Sequence, residues 1–74
     1  MENIGNVIME SESNLKEIES DIKNTGKPSD ESLDQANEIL DKLNAEVDGI
    51  SDNFMSSAIN EIIDLYKKIL EEYR

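Results

Sequence analysis

The 74 residues carry 18 acids and 7 bases, a formal net charge of −11, with no histidine and no cysteine. A chain this short forms one domain with a thin core, burying about 60% of its unfolded surface, and it has no thiol or imidazole for a disulfide, a zinc site or a nucleophile–base pair. Such charge repels nucleic acid and anionic membrane and attracts a basic surface.

The first segment spaces Ile4, Ile8, Leu15, Ile18 and Ile22 by fours and threes once Ser11 fills the missing slot. That period predicts a helix over Asn3–Asn24 with one apolar face. Gly5, Asn6, Ser11, Ser13 and Asn14 are mediocre helix formers, so a break or fraying is expected near Ser11–Asn14. Met1–Glu10 has neither a basic leader nor a long apolar run, so no signal peptide is expected. No stretch approaches the roughly 20 apolar residues that span a bilayer. A soluble cytoplasmic protein is therefore the expectation, and Met1 reads as the start of a complete small gene product. Gly26 suits the left-handed position that closes a helix, and Pro28 prevents continuation.

Ser29 is placed to cap a second helix, predicted over Asp30–Asp48, with Asp30 and Glu31 complementing its positive start. Its stripe is Leu33, Ala36, Leu40, Leu43, Val47 and Ile50, ending at Gly49–Ile50. The negative charge concentrates here. Between Ser29 and Asp52 stand Asp30, Glu31, Asp34, Glu38, Asp41, Glu46, Asp48 and Asp52, with Lys42 the only base. Glu31, Asp34, Glu38 and Asp41 follow one side at i, i+3, i+7 and i+10, where like charges cost the helix a few tenths of a kcal/mol per pair. Ser32 is expected to be an exposed first-turn residue. Glu31-Ser32-Leu33-Asp34 resembles the D-S-L site of acyl carrier proteins. The resemblance implies a phosphopantetheine arm on Ser32 and an acidic helix that docks basic enzymes. It covers about a dozen residues, and the family's L-G-x-D lead-in is replaced by Lys27-Pro28-Ser29-Asp30.

A third helix is predicted over Asp52–Tyr73, capped by Ser51, with Ile50 and Met55 as a hydrophobic staple. The short connection makes it antiparallel to the second. Lys67, Lys68 and Arg74 are expected to complement its negative end. Met55, Ala58, Ile62, Leu65 and Ile69 form the core stripe, with Leu40 and Ile62 as central core residues. Beside it runs a second stripe of Ile59, Ile63, Tyr66, Leu70 and Tyr73. Two readings follow: this helix is central and touches both others, or the surplus face binds a partner or a second copy.

The remaining chemistry is narrowed by exclusion. Gly5, Gly26 and Gly49 are isolated, so there is no phosphate loop, and no basic patch interleaves with aromatics. The run Asp41–Gly49 lacks the ligand spacing of a calcium loop. Neither metal nor cofactor is expected. The fold expected is an all-α antiparallel three-helix bundle, and the function is that of a non-enzymatic protein-binding module. It would mask or regulate a basic protein surface, that of a nuclease, toxin or nucleic-acid-binding protein. An antitoxin, an immunity protein or a phage-type inhibitor that imitates nucleic-acid charge fits. The contact residues expected are Glu31, Asp34, Glu38 and Asp41, with Tyr66 and Tyr73 as apolar anchors. A structural module dimerising through helix three, and a carrier using Ser32, are the alternatives.

Overall fold

Three helices make up the fold in the computed structural model, which describes residues 3–74: α1 Ile4–Thr25, α2 Asp30–Val47 and α3 Asn53–Tyr73. The reading of Met1 as a gene start falls outside the described residues. Asn3 caps α1 by accepting the Gly5 N–H at 2.8 Å. Gly26 closes it in the left-handed region at φ 88°, with its N–H on the Ile22 carbonyl at 2.8 Å. A side chain there would be strained, which is why glycine holds that position. Pro28 is buried in the turn, and Ser29 caps α2 as the local chemistry requires.

The next cap differs from expectation. Asp52, not Ser51, caps α3, accepting from the Phe54 and Met55 N–H groups at 2.9 and 3.3 Å. Both residue types cap well; the carboxylate also brings negative charge to the helix start. With the cap one residue later, Ile50 and Met55 no longer occupy the staple positions. The last turn of α3 contains no base. Lys67 and Lys68 lie earlier, and Arg74 turns instead to Asp34 on α2.

Both connections are short, so α2 runs antiparallel to α1 and to α3. Packing follows the chain: α2 lies against both neighbours, while α1 and α3 touch far less. The central helix is thus α2 rather than α3. A helix of 22 residues is about 33 Å long, so the 40 × 20 × 16 Å envelope is three rods laid side by side.

The shared core contains Val7 and Ile18 from α1, Ala36, Ile39 and Leu43 from α2, and Ile59, Ile63 and Tyr66 from α3. Leu33 is also buried. On α3 the two stripes have exchanged roles. Ile59, Ile63 and Tyr66 are inside, whereas Met55, Ala58 and Leu65 are exposed. Leu40 and Ile62 are half-buried residues packed on the edge of the core, not its centre.

Helix α1 is continuous through Ser11–Asn14, contrary to the expected break. Its polar residues are consumed by packing. The Ser11 hydroxyl donates to the Ile8 carbonyl at 2.6 Å, a local bond that absorbs a buried donor. The Asn14 amide donates to the Ser32 carbonyl of α2 at 3.3 Å. The Tyr66 hydroxyl donates to the Ser11 carbonyl at 3.1 Å across the core. Weak helix propensity over one turn costs a few tenths of a kcal/mol per residue, less than these tertiary contacts return. The Asn14 Oδ1 atom is buried with no partner among the described residues.

Candidate functional site

The outer face of α2 is where the acids gather. Leu33, Ala36 and Leu43 hold the opposite face against the core. That anchoring fixes the rotation of the helix, and Glu31, Asp34, Glu38 and Asp41 all stand exposed along its outer side. At about 1.5 Å per residue the four extend over about 15 Å, with steps of about 4.5 to 6 Å. That is sparser than the phosphates of one DNA strand, about 3.4 Å apart along the axis. Asp34 is paired with Arg74 at the end of α3, both partly exposed. Among the described residues, Glu31, Glu38 and Asp41 have no hydrogen-bond or ion-pair partner. Lys42 turns to the other flank of α2 and pairs with Glu10 of α1 at 3.3 Å.

Tyr66 does not belong to this surface. It is fully buried, and burial pushes its phenol well above the ordinary value, so it stays a neutral donor to Ser11. It is a core residue rather than a partner anchor. Tyr73 is half-buried at the end of α3. The stripe of Ile59, Ile63 and Tyr66 is likewise closed to a dimer partner.

Ser32 is also inside, not exposed as expected. Its hydroxyl donates to Asp21 Oδ2 on α1 at 2.8 Å and accepts from the Ser29 hydroxyl at 3.0 Å. Its own N–H donates to Ser29 Oγ at 3.2 Å. The Ser29 N–H completes the cluster on Asp21 Oδ2, also at 3.2 Å. The cap of α2 is therefore bolted to the last turns of α1. A serine held this way cannot present its oxygen to a phosphopantetheine transferase without opening the α1–α2 joint.

The same cluster gives acid sensitivity a definite sign. The Ser29 N–H, then the Ser32 hydroxyl, hold the Asp21 carboxyl below its ordinary value of 3.8 against a smaller opposing effect of burial. A carboxylate depressed in the folded state adds stability above its unfolded pKa and loses it as pH falls through the folded value. The stability gap between the parent and Asp21→Asn is therefore expected to be constant near neutral pH and to narrow below about pH 4. Urea unfolding followed by circular dichroism at pH 7, 4 and 3 checks this; a gap that stays level or widens toward pH 3 contradicts it.

The feature that periodicity missed is the outer flank of α3. Phe54 is 86% exposed and Leu65 45%, with Met55 and Ala58 also outside. Ile62 and Ile69 are half-buried beside them. The signal was present as a double stripe, but the period alone does not say which half turns inward. Among the described residues, no group of three or more acids is placed to hold a metal ion, and no helix is long and apolar enough to cross a membrane. Comparison of the chain with protein-family models, curated proteins and solved structures gave no match.

Proposed function

We propose that this is a small acidic protein-binding module, cytoplasmic and not catalytic, that masks or regulates a basic protein surface. The observation that carries the reading is the outer face of α2, where Glu31, Glu38 and Asp41 stand solvated and without protein partners among the described residues. Like charges in a row on one helix cost stability, and a partner supplying lysine or arginine relieves that cost. Asp34 already meets one guanidinium, that of Arg74, which supports the reading that this face can receive an arginine from a partner. An antitoxin, an immunity protein or an inhibitor of a nuclease or nucleic-acid-binding protein would use such a face. Because the carboxylates are sparser than DNA phosphates, the reading is of general charge complementarity rather than a close copy of a nucleic-acid backbone.

The test is the triple variant Asp34→Asn, Glu38→Gln, Asp41→Asn. Once a basic partner is in hand, its association rate should fall by roughly tenfold or more, and the parent's rate should drop steeply with salt. Stability should stay within about 0.5 kcal/mol, since relief of repulsion offsets loss of the exposed Asp34–Arg74 pair. Stopped-flow kinetics between 0.05 and 0.5 M salt, together with urea titrations, give both readouts; these salt settings, roughly, bracket the change in Debye length from about 14 to 4 Å. Unchanged association kinetics would reduce the acids to a solubilising surface.

A further inference from the structure

Helix α1 turns the least apolar face of the three toward the core. Its buried apolar residues are Val7 and Ile18, against Leu33, Ala36, Ile39 and Leu43 on α2 and Ile59, Ile63 and Tyr66 on α3. The inward row of α1 is Val7, Ser11, Asn14 and Ile18, spaced by four, three and four, so its middle is polar. The matching row of α3 is Ile59, Ile63, Tyr66 and Leu70, with the same spacing and no polar group except the Tyr66 hydroxyl. The other apolar residues of α1 that touch the core, Ile4, Ile8, Leu15 and Ile22, are half-buried at its edge.

Asn14 gains little from its place. Its amide donates to the Ser32 carbonyl at 3.3 Å and to Gln35 Oε1 at 3.5 Å, both long for such bonds. The Ser32 carbonyl lies inside α2, where the helical pattern already supplies the Ala36 N–H, and Gln35 is exposed to water. Neither acceptor therefore needs Asn14. The Asn14 Oδ1 atom is buried with no partner among the described residues. A buried acceptor left unpaired costs free energy, which contact with water would return. Leucine, with the same branching, would be buried there without that cost. The Asn14 amide thus favours the state in which α1 has left α2.

The attachments of α1 are uneven along its length. At the turn, Asp21 accepts from the Ser29 N–H and the Ser32 hydroxyl at 3.2 and 2.8 Å. Toward the other end stand the partly exposed Glu10–Lys42 pair and the Tyr66 hydroxyl on the Ser11 carbonyl. Helices α1 and α3 touch far less than either touches α2. Regions with little buried apolar surface are the ones that open locally.

We propose that α1 is a hinged strap: it opens from the α2–α3 pair as a unit, pivoting at the Asp21 joint, and Asn14 sets how often it opens. Opening uncovers Tyr66 and the core face of α2, while the α2–α3 pair stays assembled.

Hydrogen exchange of the full folded chain, followed by NMR at rising urea, tests this. The amides of Ser11–Ile18 should be protected at least about tenfold less than the slowest amides of α2 and α3. Their exchange should also depend less on urea, because opening α1 exposes less surface than unfolding the whole chain. Asn14→Leu should raise the protection of these α1 amides about tenfold or more, since the docked state no longer holds an unpaired acceptor. Asn14→Val, a smaller side chain, is measured beside it to guard against overfilling the site. Equal protection and equal urea dependence across the three helices would reveal one cooperative unit and overturn the proposal. Protection of α1 that neither variant raises would overturn it as well, because Asn14 would then not be what loosens the helix.

Discussion

Replacing Tyr66 with alanine is expected to lower the unfolding free energy by about 3–5 kcal/mol. The ring is fully buried in the core shared by the three helices, and its hydroxyl makes the one hydrogen bond from α3 to α1 among the described residues. Alanine would remove the ring's buried area, leave a cavity among Ile59, Ile63 and their neighbours, and release the Ser11 carbonyl. A domain of this size has about 4–11 kcal/mol in total, so the variant should be largely unfolded or melt far below the parent. Tyr66→Phe separates the two contributions. It keeps the ring and loses only the hydrogen bond, at about 1 kcal/mol. Urea titrations of both variants decide the matter. A Tyr66→Ala midpoint within error of the parent would mean that the ring is at the surface.

The second large effect distinguishes the two stripes of α3. Ile59→Ala is expected to cost about 2–5 kcal/mol, because Ile59 is fully buried. Ile62→Ala, three residues on, should cost less, roughly 1–2 kcal/mol, since that side chain sits at the edge of the core and is partly exposed to water. Leu43 and Leu40 on α2 form the same kind of pair, one buried and one at the edge. Thermal unfolding by circular dichroism ranks the variants directly. If Ile62→Ala were the more damaging, α3 would have to be rotated so that its first stripe faced inward.

Much of the architecture was legible in the residues. Stripes of threes and fours located three helices, with ends within a residue or two of those observed, and Gly26 and Ser29 marked the α1–α2 turn by local chemistry alone. Local patterns failed where the deciding interaction is distant in sequence. The rotation of α3 depends on Tyr66 finding the Ser11 carbonyl 55 positions away. The continuity of α1 depends on Asn14 reaching α2. Ser32 is buried because Asp21 accepts its hydroxyl from the preceding helix. The local choices misjudged were the third cap, Asp52 over Ser51, with the staple that depended on it, and the bases expected in the last turn of α3. The acidic face was visible as spacing, and the structure adds its exposure and the Arg74 contact at Asp34. The exposed apolar flank of α3 was hidden because a stripe shows only that a helix has a greasy side, not how much of that side its neighbours cover.

The central place of α2 has a consequence for how the chain finds its fold. Each extensive helix pairing joins segments that follow one another along the chain, so almost all native contacts close short loops. Such low contact order places a bundle among the fast folders, with folding in microseconds to milliseconds. Either adjacent helix pair can form first, because neither needs the other in place. A contact that does not close a short loop is the Tyr66–Ser11 hydrogen bond, which spans most of the chain. It can form only after both pairs have docked, so it acts as a late latch: its loss should speed unfolding while leaving the rate of folding nearly unchanged.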